Sequence, residues 1–345
     1  MKAYVYNEKD NLVLKDVNRP ECEENSAVIK IEACSVCGTD FRTYTYGSEK
    51  IEPGTIIGHE VTGELVEVGD AVEGFKTGDR VNVVPAIGCG ECYNCKKGYT
   101  NLCTNLETIG FQYNGGFAEY MEIPTKAFKM GNVIKINENI DEQLSAVAEP
   151  IACCINAQSF LDIKEGDNVA IFGAGFIGCM HAKLAKSKEA NQIFIIELDE
   201  NRIQQVLKLI DDVIIINPKK ENTKEKINKL TDNEGPNVLI TACSSGKAQQ
   251  DAQEIAAERA RISLFGGLPG ESTGFINSNL VHYKELTICG VHASTPEQNR
   301  KSLKWISGVD FDLKDFLTVY SLSNIENAFE AIKNGEIMKA VIKPE

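Results

Sequence analysis

The sequence has no long hydrophobic run: no apolar stretch in its 345 residues approaches the about 20 that a membrane-spanning helix needs. The N-terminal residues alternate like a β-strand and contain no apolar secretion-signal core. Basic residues are in deficit, with 36 Lys and Arg against 50 Asp and Glu and a formal net charge of −14. Such a charge disfavours nucleic acid or an anionic membrane surface as the main partner. We therefore expect a cytoplasmic protein that binds neither.

Histidine is scarce, with four in the chain, whereas cysteine is abundant, with twelve. Disulfides fit poorly in a long chain without an export signal, where clustered cysteines more often bind metal. One tight group comprises Cys89, Cys92, Cys95 and Cys103. Neighbouring glycines supply the tight turns needed to wrap four thiolates around one tetrahedral ion, and a closed four-sulfur site is structural. A structural zinc lobe at 88–104 is therefore favoured over a disulfide pair.

The stretch 168–199 predicts a dinucleotide site. An apolar run at 169–172 precedes G-x-G-x-x-G, in which the glycines permit a tight turn, close approach of the pyrophosphate and close helix–strand packing. The helix that follows directs its N–H groups at the diphosphate. The predicted cofactor contacts are Gly173, Gly175, Phe176, Ile177, Gly178, Glu197, Arg202, Phe265 and Gly266.

Glu197 closes the next predicted strand, where its carboxylate can bind both ribose hydroxyls and repel a 2′-phosphate. NAD is therefore favoured over NADP. Arg202 is the nearby cation that would argue for NADP, and we interpret it as a helix-surface residue. Phe265 and Gly266 end a later strand and are predicted to contact the nicotinamide half.

A second metal site is predicted from separated segments. Cys37 lies in CSVCGTD, His59 and Glu60 follow a glycine, and Glu149 precedes a proline. One thiolate, one imidazole and carboxylates suit a zinc ion that keeps an open position for water or substrate.

The pattern of predicted strands and helices changes near residue 150, which predicts an α/β protein. Residues 1–152 consist of short alternating strands, and the first long helix is expected at 141–160. Residues 153–290 alternate strands with helices, as in a doubly wound parallel sheet. The strands predicted in that part are 169–172, 193–197, 213–216, 237–241, 262–265 and 286–290. The tail at 291–345 is expected to return to the N-terminal domain.

The combined motifs resemble the zinc-dependent medium-chain alcohol dehydrogenase family. The stretch GHEVTGELVEVGDAV carries the pattern G-H-E-x2-G-x5-G-x2-V, and GDRV, GGFAEY and GAGFIG follow in the family's order. The resemblance implies a GroES-like catalytic domain, a Rossmann NAD-binding domain and a homodimer or homotetramer. It places Cys37, His59 and Glu60 at the catalytic zinc and the four clustered cysteines in the structural lobe.

By the same resemblance, Glu149 followed by proline points to the sorbitol (L-iditol 2-) dehydrogenase-like branch, in which this glutamate binds zinc or holds its water. The expected reaction is NAD-dependent conversion of a polyol to a ketose. Retention of all four lobe cysteines is similar to galactitol-phosphate and L-threonine dehydrogenases, so polyol phosphates and L-threonine are alternative substrates. A non-catalytic zinc and cofactor binder is the alternative of another class, and the retained open metal site disfavours it.

Three further residues are assigned by resemblance. Thr39 matches the hydroxyl that takes the proton of the substrate alcohol, and Arg42 stands where many members have a relay histidine. Arginine is not a base near neutral pH, so the proton must leave through water or cofactor hydroxyls. Arg42 is either a surface ion-pair residue or a contact for an anionic or highly hydroxylated substrate. His292 is a candidate for lining the substrate site, and His181 is expected on a helix surface.

Overall fold

The computed structural model describes residues 1–268, 270, 274–309 and 311–345. The chain divides into two compact units, residues 1–152 together with 293–345, and residues 153–292. Within the described residues, no helix combines the length and the apolar character needed to cross a membrane.

The first 161 residues are rich in short strands. The strands are β1 (Lys2–Glu8), β2 (Asn11–Asp16), β3 (Ala27–Ser35), β4 (Thr55–Ile56), β5 (Glu60–Val68), β6 (Arg80–Val83), β7 (Ala86–Ile87), β8 (Glu107–Thr108), β9 (Tyr120–Ile123) and β10 (Val133–Lys135). The helices are α1 (Gly38–Tyr46), α2 (Tyr93–Lys96), α3 (Thr125–Lys129), α4 (Glu142–Ala146) and α5 (Ala148–Leu161).

The rest of the chain alternates strands and helices before a short tail. Its strands are β11 (Val169–Phe172), β12 (Ile193–Ile196), β13 (Ile214–Ile216), β14 (Val238–Thr241), β15 (Arg261–Leu264), β16 (Thr287–Gly290), β17 (Leu317–Ser321) and β18 (Lys339–Lys343). Its helices are α6 (Phe176–Lys186), α7 (Glu200–Leu209), α8 (Thr223–Leu230), α9 (Gly246–Ile255), α10 (Ser278–Tyr283), α11 (Pro296–Ile306) and α12 (Ile325–Lys333).

The first unit is built on a mixed sheet of order β10-β6-β5-β3-β18-β17, with β9 also paired to β3. The long antiparallel pair β3–β5 runs from Ala27 opposite Val68 to Ser35 opposite Glu60. The last strand, β18, pairs with β3 at the end where Ser35 lies. Strands β3, β5 and β18 therefore meet at the ends that carry polar residues. The hydrophobic core of this unit includes Phe117 and Phe329.

The second unit is a parallel sheet of order β13-β12-β11-β14-β15-β16. Its central strands are fully buried runs of apolar residues, as expected when helices cover both faces. The predicted doubly wound sheet is thus confirmed. The strand order reverses between β11 and β14, and ligands of such sheets bind beyond the carboxyl ends of the strands at that point.

One short helix was not predicted, and one helix prediction needs correction. The first unit contains α1, nine residues long, which begins directly after Cys37. The helix expected at 141–160 is two helices, because the backbone breaks at Val147 and α5 starts afresh at Ala148. Pro150 fits this restart, since a proline in the first turn of a helix loses no intrahelical hydrogen bond. The restart places Glu149 in the first turn of α5.

Candidate functional site

The first unit contains a mixed-ligand cluster of Cys37, His59 and Glu60. Their sulfur, nitrogen and oxygen ligand atoms lie within 4.8 Å of one another. Ligands of one zinc ion bind at about 2.0–2.3 Å, so atoms this close converge on one ion after small side-chain movements. The donor set of the cluster fits zinc.

Local backbone geometry brings these residues together. Cys37 follows β3 and caps α1, while Glu60 starts β5 directly after His59. Gly58 has φ +93°, and a Cβ there would approach the Phe117 ring to 2.8 Å. Only glycine fits this turn, which delivers His59 to the cluster.

Asp40 organises the cluster from within α1. One carboxylate oxygen accepts a hydrogen bond from the Cys37 backbone N–H at 2.9 Å, and the other lies 3.2 Å from Nδ1 of His59. Burial by itself would lower the pKa of His59, but Asp40 and Cys37 raise it well above its usual value. The cluster therefore favours a positive charge, which is what a zinc ion would supply.

Glu60 is held by a buried lysine. Nζ of Lys339 lies 2.6 Å from Oε2 and 2.9 Å from Oε1 of Glu60, and it also donates to the Val36 carbonyl at 2.8 Å. Ser35 donates a further hydrogen bond to Glu60. Glu60 is fully buried and Lys339 is 6% exposed. Direct binding of zinc by Glu60 would have to compete with this ion pair.

Glu149 is buried in the first turn of α5. Burial by itself would lower the pKa of Lys339. The negative charges of Glu60, Cys37 and Glu149 nevertheless raise it above its usual value. Glu149 therefore lies in the electrostatic neighbourhood of the cluster. Among the described residues, the group whose ligand atoms all lie within 4.8 Å of one another includes Glu60 and not Glu149.

Thr39 and Arg42 share one face of α1. Nη2 of Arg42 donates a hydrogen bond to Oγ1 of Thr39 at 3.0 Å. Because arginine offers only donors, one lone pair of the Thr39 hydroxyl is occupied and its hydrogen must find another acceptor.

The four-cysteine cluster forms a compact lobe in the first unit. The sulfur atoms of Cys89, Cys92, Cys95 and Cys103 lie within 4.8 Å of one another. The Cys92 and Cys103 sulfurs are 3.8 Å apart, far beyond a disulfide length of about 2.05 Å.

Backbone N–H groups of the lobe point at its sulfurs. The Cys92 N–H donates to Cys89 Sγ at 3.3 Å, and the Cys89 N–H donates to Cys103 Sγ at 3.2 Å. Donors from Cys95 and Thr104 lower the pKa of Cys92 to about 5. Four converging sulfurs that accept backbone hydrogen bonds fit a closed tetrahedral zinc site, with no position left for substrate.

The glycine turn in the second unit has the expected conformation. Gly173 has φ +108°, and a Cβ on Gly178 would lie 2.0 Å from the Gly173 carbonyl oxygen. Gly175 caps α6 and has open space where a Cβ would lie. Phe176 and Ile177 form the first turn of α6, whose free N–H groups suit a diphosphate.

Glu197 follows β12 and its carboxylate faces this turn. Oε2 accepts from the Ala174 N–H at 2.8 Å, and Oε1 accepts from the Leu198 and Asp199 N–H groups at 2.7 and 2.9 Å. Arg202 lies on α7 and is half-buried. Burial lowers the pKa of Arg202, although the nearby negative charges of Glu197 and Asp199 act to raise it.

Phe265 and Gly266 follow β15 at the same edge of the sheet. The Phe265 ring packs edge-on against His181, with centroids 4.9 Å apart. His181 is fully buried, contrary to the expected surface position, and Gln158 donates to its backbone carbonyl at 2.9 Å. Burial lowers the pKa of His181 to about 3, so this ring is neutral. His292 is exposed beyond β16.

Sequence reasoning missed Lys339 as a partner of the cluster. Asp40 was expected to order the ligand loop, and it follows Cys37 by three residues, which is a capping-box spacing. Lys339 had no such signal, because a lysine in a short strand is usually exposed.

A closed four-sulfur cluster, a mixed-ligand cluster and a glycine turn on a parallel sheet define a class: zinc-dependent oxidoreductases that use a nicotinamide dinucleotide. The alcohol dehydrogenase GroES-like domain profile matches residues 23–136, and the zinc-binding dehydrogenase profile matches residues 177–308. The chain belongs to the zinc-dependent medium-chain alcohol dehydrogenase family. The predicted fold class, enzyme class and cofactors, zinc and a nicotinamide dinucleotide, are thereby confirmed.

Individual relatives cover most of the chain. It is 34% identical to L-threonine 3-dehydrogenase of Pyrococcus furiosus over 81% of this chain and 78% of that protein. It is 31% identical to L-threonine 3-dehydrogenase of Escherichia coli over 97% of this chain and 96% of that protein. A zinc-binding dehydrogenase of Sinorhizobium meliloti bound to NADP superposes with a TM-score of 0.91, at 26% identity and 99% coverage of both chains.

Replacement of Lys339 tests the buried ion pair. We expect Lys339→Met to lower the free energy of unfolding by about 3–5 kcal/mol, because Glu60 would remain buried without its counter-charge. Lys343→Met is the matched control on the same strand, since its pair with Glu142 is partly exposed and worth about 0–1 kcal/mol. Urea unfolding of the zinc-loaded protein measures both, and equal losses would contradict the special role of Glu60–Lys339.

Serine substitutions distinguish the two metal clusters. Cys92→Ser and Cys37→Ser should each reduce bound zinc from two ions per chain to one. Cys92→Ser should lower Tm by on the order of 10 °C, because a closed structural site contributes folding energy directly. Cys37→Ser should lower it far less. Metal analysis and melting curves provide the readout, and the reverse order of Tm values would refute the two assignments.

Alanine substitutions test the glycine turn. Gly175→Ala should leave the unfolding free energy within about 0.5 kcal/mol, because its Cβ meets no atom, yet weaken NADH binding at least about tenfold by filling the space for the pyrophosphate. Gly178→Ala should weaken binding and also lower stability. Fluorescence titration with NADH and melting curves separate the two effects. Undiminished affinity in Gly175→Ala would mean that the pyrophosphate lies elsewhere.

Proposed function

We propose that this chain oxidises a secondary alcohol to a ketone with NAD⁺, and that L-threonine, oxidised at its C3 hydroxyl, is the first candidate substrate. The convergence of Cys37, His59 and a buried carboxylate on one point carries the proposal, because this donor set suits an open catalytic zinc. L-threonine is favoured by the two relatives described above, which align with most of the chain.

A neutral polyol is the second candidate. The Glu149-Pro150 pair favours it, since the sorbitol dehydrogenase-like branch carries Glu-Pro at this position. Glu149 lies in the first turn of α5 near the charges that surround Lys339.

The chain's own residues supply binding and proton transfer. Cys37 and His59 would hold the zinc, with Glu60 or Glu149 as the carboxylate. The distances between ligand atoms favour Glu60, whereas its ion pair with Lys339 would compete with zinc and favours Glu149. Bound zinc acts as a Lewis acid that lowers the pKa of an alcohol. Asp40 keeps His59 and Cys37 in place.

Thr39 accepts the proton of the substrate hydroxyl on Oγ1 and releases its own hydrogen. Arg42 occupies one lone pair of Oγ1 and has no acceptor, so the released hydrogen passes to water or to a cofactor hydroxyl and not to position 42. This route replaces the relay that a histidine at position 42 would provide.

Glu197 supports NAD over NADP. Its carboxylate already collects three backbone N–H groups beside the glycine turn, so a 2′-phosphate would meet a fixed negative charge. Arg202 is the nearby cation, and it is half-buried where the charges of Glu197 and Asp199 already act on it. A dinucleotide bound at this turn would supply the hydride acceptor.

NADH formation by the zinc-loaded protein tests the substrate. The panel contains L-threonine, sorbitol, xylitol, ribitol, galactitol 1-phosphate and sorbitol 6-phosphate. Turnover of L-threonine with NAD⁺ supports the first candidate, and turnover of neutral polyols alone supports the second. Absence of turnover with the whole panel, in a protein that holds two zinc ions, would refute both substrates.

Substitution of Thr39 tests proton transfer. Thr39→Val should lower kcat by about 100-fold or more, because it removes the hydroxyl and keeps the shape of the side chain. Thr39→Ser, which retains the hydroxyl, should stay within a few-fold of the unaltered chain. Zinc content and NADH affinity should not change in either variant. Equal activity of the valine and serine variants would exclude Thr39 from the proton path.

A further inference from the structure

Arg42 forms no ion pair in the part of the chain that the structure describes, although Asp and Glu outnumber Lys and Arg by 50 to 36. Four other arginines do find carboxylates: Arg19 pairs with Glu67, Arg80 with Glu32, Arg259 with Glu285 and Arg261 with Asp167. Arg300 resembles Arg42, since it donates to the Gly131 carbonyl and forms no ion pair within the described residues. The hydrogen bond of Arg42 goes instead to a neutral hydroxyl, that of Thr39.

The nearest acidic residue on the same helix does not compensate this charge. Both carboxylate oxygens of Asp40 are engaged inward, one with the Cys37 N–H and one with His59. Arg42 is exposed, whereas Asp40 is 2% exposed. The guanidinium therefore has no carboxylate partner on α1, the helix that Cys37 caps, and it bonds to Thr39 within that helix.

Such an arrangement suits an anion. A guanidinium has five N–H donors in a planar fork that matches carboxylate and phosphate oxygens, and the bond to Thr39 uses one of them. Its position is also restrained, because the contact with Thr39 is made within one turn of α1. Less conformational freedom is then lost when an anion binds.

We propose that Arg42 is a specificity-determining residue that binds an anionic group of the substrate, a carboxylate or a phosphate, close to the alcohol carbon that is oxidised. The inference rests on the proposed function, since Thr39 is there the residue that contacts the reacting hydroxyl. A 2-amino-3-hydroxy acid carries its carboxylate on the carbon next to the alcohol carbon, and a polyol phosphate carries a larger anion further away. Both present the oxygens that a guanidinium recognises.

Matched substrate pairs and two variants test this role. We compare L-threonine with L-threonine amide, and galactitol 1-phosphate with galactitol, in the unaltered chain, Arg42→Met and Arg42→Lys. Arg42→Met should lower kcat/KM for the anionic member of the pair that is turned over by about 10- to 100-fold, mainly through KM. The neutral member should change by less than about twofold, and Arg42→Lys should retain part of the discrimination.

Equilibrium binding gives a readout independent of turnover. Calorimetry of the zinc-loaded protein with L-2-aminobutyrate, which lacks the reacting hydroxyl, and with inorganic phosphate distinguishes a carboxylate from a phosphate. For whichever of these two probes binds more tightly, Arg42→Met should weaken the binding by about tenfold or more. Arg19→Met is the matched control, because it removes an exposed arginine whose partner is Glu67.

Several results would overturn the inference. Equal losses on anionic and neutral substrates would make Arg42 a general support of Thr39. A higher Kd for NADH in Arg42→Met would assign the guanidinium to a cofactor phosphate. Undiminished probe binding in Arg42→Met would exclude anion recognition even if no alcohol in the panel were oxidised. Failure of the proposed function alone would appear differently, as Arg42-dependent probe binding without turnover.

Discussion

The buried ion pair between Glu60 and Lys339 is the constraint around which the first unit is arranged. It joins the first residue of β5 to the first residue of β18, strands almost 280 residues apart in sequence, where both meet the end of β3. A buried carboxylate without its lysine would be costly. Lys339, in the tail of the chain, is therefore a partner of the mixed-ligand cluster, and it bonds to the residue next to His59.

The ion pair with Lys339 also distinguishes Glu60 from Glu149, the other buried carboxylate near the cluster. Glu60 is adjacent to His59, yet its oxygens already accept hydrogen bonds from Lys339 and Ser35. Glu149 arrives separately, through the restart of α5 after Val147. Glu60 is thus the carboxylate that lies among the ligand atoms, while Glu149 is a second buried carboxylate whose charge acts on Lys339. Arg42, on the helix that Cys37 caps, forms no ion pair within the described residues, in a chain whose overall charge is strongly negative.

Much of the fold was predictable because its signals are local. Fully apolar runs bounded by turns predicted β11, β12 and β14, and G-x-G-x-x-G between a strand and a helix predicted the turn at Gly173. The four lobe cysteines were predictable from spacing alone. The α1 helix was not predicted, because its polar and aromatic residues lack a clear apolar period, and what starts it is the capping contact between Asp40 and Cys37.

The sequence by itself determined which residue types could bind metal, where the glycine turn lies and where the strands lie along the chain. Each of these depends on residues that are neighbours in the chain. Tertiary structure alone decided that Lys339 faces Glu60, that His181 is buried against Phe265, and that Arg42 contacts Thr39. These facts depend on which side chains are buried together, and burial is set by strand pairing and helix packing across long separations. Composition and spacing carry no record of that pairing.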